Sequence, residues 1–325
     1  MRNPDAEPSA RWVRHMRRGE WERAWRLSDL ALASGRGDQR WSLPRHEQPI
    51  WDGTPLHGRH VLIRCYHGLG DTLQFIRYAP LVAAIAASVT VWAQPSLIPL
   101  LQSLPRVGRL LPLHDGVPDV SHDVDVEVME LPHVFRSTPD TLPSSVPYLH
   151  PPRRGRLPGG RPGLAVGLVW QAGGWDPRRS IPPALLVPLS RIKGIALHIL
   201  QRGPALGEIP HGFGLPAGSD DVLEAASAML DLDLVVTVDS MPAHLAGALG
   251  MPVWTLLQHD ADWRWMERRA DSPWYPTMRL FRQPRPGDWA DVVGQVRAAL
   301  RRQVGGAGRR SPAAPSRDGA GRSQP

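Results

Sequence analysis

The stretch LVVTVDSMPAHLAGALGMPVWTLL (234–257) decides the fold. Leu234 to Val238 is a short, β-branched apolar run, the composition of a strand buried on both faces of a parallel sheet. Asp239 and Ser240 stop it; either can cap a helix, and Pro242 falls in the first helical turn, where its missing N–H costs nothing. The helix predicted next passes through Ala243, Leu245, Ala246, Ala248 and Leu249 and closes at Gly250. After Pro252 a second strand is expected from Val253 to Leu257. This is a βαβ unit, and in open α/β sheets ligands bind at the carboxyl ends of the strands. A helix N-terminus at that edge offers unpaired N–H groups and partial positive charge to an anion. Ser240 and His244 lie in the first turn, so a phosphate fits there between backbone amides, a hydroxyl and an imidazole.

The 325 residues exceed what one hydrophobic core ordinarily holds, so two domains are expected, and 42% hydrophobic residues are enough to fill them. Cys65 is the only cysteine, which excludes an internal disulfide and fits a reducing compartment. The N-terminal MRNPDAEPSARWVRHMRRGEWERAW has no apolar core of signal-peptide length, and no apolar run is long enough to span a bilayer. A soluble, cytoplasmic protein is the expectation. The net charge of +7 is concentrated in the tail, where Arg301, Arg302, Arg309, Arg310, Arg317 and Arg322 face Asp318 alone. Lys193 is the only lysine, and no basic face with interleaved aromatics is present, so nucleic acid is not an expected partner. The tail from residue 305 reads as disordered and solvated, with weak peripheral contact to anionic lipid as the alternative.

Residues 11 to 33 read as two short helices broken at Gly19, with Trp12, Met16, Trp21, Trp25 and Leu32 on their apolar faces. GEWERAW is similar to the last helical pair of a tetratricopeptide array; one such pair cannot bury its own face and must dock on the rest of the chain. A simple helical hairpin covering one end of a sheet is the alternative. A polar linker, Gly35 to Gly58, leads to strand His60–Arg64, the loop Tyr66–Gly70, and a helix from Asp71 through Leu73, Phe75, Ile76 and Tyr78 to Leu81. Strands are predicted at Val89–Ala93, Arg109–Leu113 and Asp125–Met129, with a helix near Ser96–Ser103, and the domain closes at Val146–Leu149. The Pro/Arg/Gly stretch His150–Gly163 has linker composition. Beyond it come strand Leu164–Trp170, loop Gln171–Ser180, helix Pro183–Arg191, strand Ala196–Gln201, helix Asp220–Leu230, the βαβ unit, strand Met278–Arg282 and a last helix from Asp288 to about Gln303. Such alternation implies parallel sheets with right-handed crossovers. The domains are therefore a helical 1–47, an α/β 48–155, an α/β 156–304 and a basic tail 305–325.

Two βα turns carry the polar residues. In the first, Gly68 and Gly70 let backbone approach a ligand, and Asp71 opens the helix. Asp71 with Gln74 also has the form of a capping box, which accounts for both without catalysis. In the second turn stand Asp239, Ser240 and His244; a histidine in such a turn is either packing filler or a ligand-contacting group. Arg178, Arg179 and Ser180 follow the strand Leu164–Trp170 and face the same edge in a parallel sheet. Arginines there either neutralise a diphosphate through bidentate hydrogen bonds or merely line a solvated loop. No HExxH, CxxC or DxD points to a metal, no GxSxG to a hydrolase elbow, and no GxGxxG or Walker sequence to a dinucleotide or P-loop site.

GLGDTLQFIRY (68–78) together with TVDSMPAHLAGALGMPVW (237–254) resembles the heptosyltransferase-like glycosyltransferases of family 9. WDGTPLHGRHVLIR (51–64), RSIP (179–182), DWRWM (262–266), SPWYP (272–276) and RLFRQ (279–283) look like the branch found at the C-terminal ends of bacterial tetratricopeptide proteins. The resemblance implies a GT-B architecture, with two Rossmann-like domains facing across a cleft. The second would bind the nucleotide-sugar donor and the first the acceptor. It implies that Asp71 is the general base, that Asp239, Ser240 and His244 meet the donor diphosphate, and that no cofactor or metal is needed. His67, Gly68, Gly70 and Gln74 are expected on the acceptor side. The implied activity is transfer of a sugar, ADP-heptose-like or from a UDP-sugar, to a glycan, lipopolysaccharide or protein hydroxyl. The branch usually has Glu-Gln before GLGD, where this chain has Tyr66-His67, and the family's phosphate-binding lysine has no counterpart, leaving Arg178 or Arg179 for that role. A catalytically degenerate scaffold that engages a partner through its N-terminal helices, and a GT-B-like epimerase or hydrolase, are the rival readings.

Overall fold

The computed structural model describes residues 8–35, 50–152, 157 and 163–307. Residues 305–307, expected in the tail, instead end the last helix, and the rest of the tail and most of both linkers lie outside the described residues. Two parallel sheets carry the chain. The first has the order β3-β2-β1-β4, with β1 His60–Arg64, β2 Ser88–Ala93, β3 Arg109–Pro112 and β4 Val124–Glu127. The second has the order β10-β9-β8-β5-β6-β7, from β5 Leu164–Val169, β6 Ile195–Ile199, β7 Leu215–Pro216, β8 Leu234–Val238, β9 Val253–Leu257 and β10 Met278–Arg282. All pairings between these strands are parallel. Strand β8 is central and buried at all five positions, as a two-faced apolar run requires. The edge strand β7 was not expected; two residues ending in Pro216 suit an edge that needs no N–H on its outer side.

The helices are α1 Pro8–Arg17, α2 Trp21–Gly35, α3 Leu69–Phe75, α4 Ala79–Ile85, α5 Ile98–Leu101, α6 Leu131–Val134, α7 Val187–Ser190, α8 Val222–Leu230, α9 Met241–Ala248 and α10 Trp289–Ala307. The single helix predicted from Asp71 to Leu81 is instead α3, a tightened 3₁₀ turn Ile76–Tyr78, and α4. Pro80 causes the break, because it removes an N–H and its ring collides with the carbonyl one turn back. Strand β4 ends two residues early because the Glu127 carboxylate turns back to accept the Met129 N–H at 2.6 Å and caps a 3₁₀ turn. At Val146–Leu149, where the first domain is expected to close, the N–H groups of Tyr148 and Leu149 both donate to the Ala248 carbonyl at the end of α9, at 3.0 and 3.4 Å. Gly250 closes α9 with a φ of +71°, which a side chain would strain.

Helices α1 and α2 do dock on the rest of the chain, and they touch both sheets' domains. Trp21 stacks on Trp274 with ring centres 5.3 Å apart, Trp12 meets Trp263 edge-on at 5.4 Å, and Trp25 stacks on His133 and donates to the Ser137 carbonyl at 2.7 Å. Asp29 accepts from Arg136, and Arg17 donates to the Ala261 carbonyl at 2.9 Å. One apolar core runs from these tryptophans through the first sheet to α9 and the near face of the second sheet; a separate core fills the far face beneath α10.

Candidate active site

The carboxyl edges of the two sheets meet where α3 lies against α9. Closeness is set by Gly70: a Cβ there would stand 2.8 Å from the His244 ring and 3.4 Å from the Met241 backbone. Gly68 caps α3, and Asp71 is the acid three residues in, its Oδ2 accepting the Gly68 N–H at 2.9 Å. The capping box therefore sits one turn earlier than the Asp71–Gln74 pairing the sequence offered. Gln74 is fully buried with no hydrogen-bond partner on either amide atom. The second carboxylate oxygen of Asp71 crosses to the other domain, where Oδ1 accepts from Arg264 Nη1 at 2.7 Å.

Arg264 is the centre of charge. It comes from the 3₁₀ turn Trp263–Trp265, where the Asp262 carboxylate accepts both its backbone N–H and its Nε, at 3.0 and 2.9 Å. Burial opposes its charge, but the carboxylates of Asp262, Asp71 and Asp239 outweigh that and raise its pKa further. Burial pushes Asp71 up, and Arg264 more than reverses this, holding the carboxyl below the usual range. Asp239 goes the other way: buried, with Asp262 nearby, it is pushed up to about 6. His244 is buried, stacked on Trp265 at 5.3 Å, with Nδ1 3.0 Å from the Tyr275 hydroxyl. Burial and the Arg264 charge hold it down to about 3, so its imidazole is neutral.

On the second domain's side, a cavity of about 280 Å³ opens at the carboxyl ends of β5 and β6 beside the first turn of α9. Its walls include Gln171, Gly173, Gln201, Arg202, Ser219, Ser240 and Pro242. Ser240 is the N-cap position, but its hydroxyl donates to the Val238 carbonyl at 3.2 Å and caps no helical N–H. Ser180 holds the wall by accepting the Ala172 N–H at 3.2 Å, and Arg179 reaches the Asp239 carbonyl at 3.1 Å while its buried Nε has no partner. Arg178 points away, in a bidentate pair with Asp176. The structure thus gathers Ser180, Arg179, Asp239 and Ser240 around one edge, places His244 beneath it against α3, and leaves Arg178 at the surface.

In the first domain, His67 lies just before Gly68, with its ring Nδ1 3.0 Å from Glu127 Oε1 at the end of β4. Its carbonyl accepts from Gln94 at 2.7 Å. Arg202, Gln171 and Gln201 were missed in the sequence although they follow the ends of β5 and β6, the positions where a parallel sheet presents its ligand contacts. Arg264 was quoted only within a motif; no periodicity marks a loop arginine that finds its partner 193 residues away. Among the described residues no group of three or more His, Cys, Asp or Glu could hold a metal ion, and no helix is long and apolar enough to cross a membrane.

No family model matches the chain. Protein FlbA of Caulobacter vibrioides is 26% identical over 325 residues, covering 84% of this chain and 54% of that protein. The chain thus spans about half the length of the curated relative it matches. Among solved structures, the ADP-heptose lipopolysaccharide heptosyltransferase II of E. coli is similar at a TM-score of 0.51 with 13% identity, covering 74% of this chain and 99% of that one. The heptosyltransferase TibC of enterotoxigenic E. coli, solved with ADP-D-β-D-heptose, is also similar at a TM-score of 0.51, with 14% identity and 78% of each chain covered. The chain has the two-sheet α/β fold of these transferases, as the expected GT-B architecture requires.

Proposed function

We propose, from the fold shared with these heptosyltransferases, that this chain transfers a sugar from a nucleotide-diphosphate donor to a hydroxyl acceptor. The observation that carries the reading is the cavity beside the N-terminus of α9, because that edge offers an anion both backbone N–H groups and cations. The diphosphate lies against Ser240 and the first turn of α9, with Arg179 and Arg202 as counter-charges, so the departing negative charge is met without a metal. The acceptor hydroxyl approaches from the first domain at the start of α3, where Asp71, the base implied by the resemblance, stands beside His67. An ADP-heptose-like or UDP-linked sugar is the donor class, and a glycan, lipopolysaccharide or protein hydroxyl the acceptor class. The finer placement, in the branch found at the C-terminal ends of bacterial tetratricopeptide proteins, is supported by the docked helical pair α1–α2.

The test is release of nucleoside diphosphate from ADP-, UDP-, GDP- and dTDP-sugars by the full chain. Gly173→Trp supplies the control, because Gly173 lines the cavity and a Cβ there would meet nothing within 4 Å, so the indole is directed to occupy the donor space. Release from one nucleotide class, lost in the control, is the expected result. No release from any donor, with no binding, would favour the scaffold reading instead.

A further inference from the structure

Trp175 stands in water two residues beyond Gly173, which lines the cavity at the carboxyl ends of β5 and β6. Its side chain is 86% exposed, whereas every other tryptophan among the described residues is buried or half-buried. Among those residues its ring has no stacking partner and its indole N–H no hydrogen bond. One exposed apolar side chain is ordinary on a protein surface. What sets this one apart is how it is mounted. The loop is fixed at both feet. On one side the N–H groups of Trp170 and Gln171 donate to Gln201 Oε1 at 3.1 and 2.9 Å, and the Ala172 N–H donates to Ser180 Oγ at 3.2 Å. On the other, the Asp176 carboxylate accepts from Gln258 Nε2 and from Arg178 Nε, both at 2.9 Å. Between the feet lie only Gly173, Gly174 and Trp175, and a Cβ on either glycine would meet nothing within 4 Å. Two residues of chain span at most about 7 Å, so the indole is carried within reach of the cavity on a stem that bears no other side chain.

The cavity itself has two characters. Val169, Leu200, Ala225, Met229 and Leu245 give it apolar walls, while Ser240 and the first turn of α9 form the edge that suits an anion. A flat aromatic group laid against the apolar wall leaves its second face turned outward, toward the loop. We propose that Trp175 stacks on the nucleobase of the donor, covering that outward face while the diphosphate lies at the α9 edge. This rests on the donor reading of the cavity given above. Stacking is tolerant of base identity because every base has a π-face. Trp175 therefore supplies affinity for a nucleotide over a bare diphosphate, and the choice among nucleotides falls to groups at the base's edge.

The experiment is calorimetric titration of the full chain with ADP, UDP, GDP and dTDP and with their sugar conjugates, in wild type, Trp175→Ala and Trp175→Phe. Because the ring touches nothing, Trp175→Ala should melt within about 1 °C of wild type, so a change in binding is not a change in folding. Its Kd for the nucleoside diphosphate that wild type binds should rise about 5–150-fold, the range of base–aromatic stacking, and Trp175→Phe should recover most of that loss. Inorganic pyrophosphate, displacing that nucleotide, should compete equally well in all three. Equal nucleoside diphosphate affinity in wild type and Trp175→Ala would overturn the proposal. A loss confined to the sugar conjugates would overturn it too, placing the indole on the sugar, and an equal loss for pyrophosphate would place its effect on the diphosphate instead. Each of these leaves the donor site standing; a wild type that binds no nucleotide or conjugate would sink the inference together with the donor reading.

Discussion

Arg264→Met is the perturbation with the clearest structural cost. The arginine side chain is 10% exposed, bridges Asp71 on one domain to Asp262 on the other, and lies over the Phe75 and Trp263 rings at 5.6 and 5.7 Å. Methionine keeps part of the ring packing and removes only the charge and its hydrogen bonds. Breaking a buried pair by deleting one partner costs about 3–5 kcal/mol. Asp71 and Asp262 remain 21% and 38% exposed, so water recovers part of that for the stranded carboxylates, which favours the lower end, about 3 kcal/mol. For a chain of this size each kcal/mol moves Tm by about 2 °C, so scanning calorimetry should register a fall of about 6 °C. The decisive readout is the cycle with Asp71→Asn. If the pair joins the two domains as described, the double variant is less impaired than the sum of the singles by at least about 1 kcal/mol. Strictly additive losses would refute the cross-domain pair.

Three further outcomes come from the packing. Gly70→Ala should cost about 1–3 kcal/mol by overpacking, since the new Cβ would press on the His244 ring at 2.8 Å; thermal melts with no loss would mean that α3 and α9 are not in contact. Trp21→Ala should cost about 3–5 kcal/mol in the same assay, because the ring is 1% exposed and stacked on Trp274. A loss below about 1 kcal/mol would show that α1–α2 is not integral to the fold. His244 is held at about 3 against an ordinary 6.5, so the unfolded chain takes up a proton there before the folded one does. Its contribution is therefore full above pH 6.5 and is lost as pH falls toward 3, by about 1.4 kcal/mol per unit. Wild type should lose its stability advantage over His244→Asn across that window, whereas a difference independent of pH would mean that the imidazole titrates normally.

Much of this fold is legible because it rests on local patterns. The mostly apolar, β-branched run Leu234–Val238, the Pro242 start and the Gly250 stop determine β8, α9 and β9 without outside help. What was not legible depends on distant partners. Asp71 and Gln74 have the spacing of a capping box, yet Gly68 captures Asp71 because the chain enters the helix one turn earlier. His244 sits in a helix's first turn, and its burial comes from Gly70 of the other domain packing against its ring, which no local pattern reveals. Arg178 and Arg179 are neighbours with opposite fates, one taken by Asp176 beside it and the other reaching Asp239. Only the fold decides between such partners, and the same holds for Glu127, which meets His67 because β4 pairs with β1.

The most direct test of donor binding at the α9 edge is the thermal stability of the full chain with ADP-, UDP-, GDP- and dTDP-sugars, compared with Gly173→Trp. A donor at a hundred times its Kd adds about 2.7 kcal/mol, a rise of about 5 °C for a chain of this size. That rise is expected with one nucleotide class in wild type and with none in the cavity-filled variant. A wild type that melts at the same temperature with every donor would contradict the donor site, and with it the transferase.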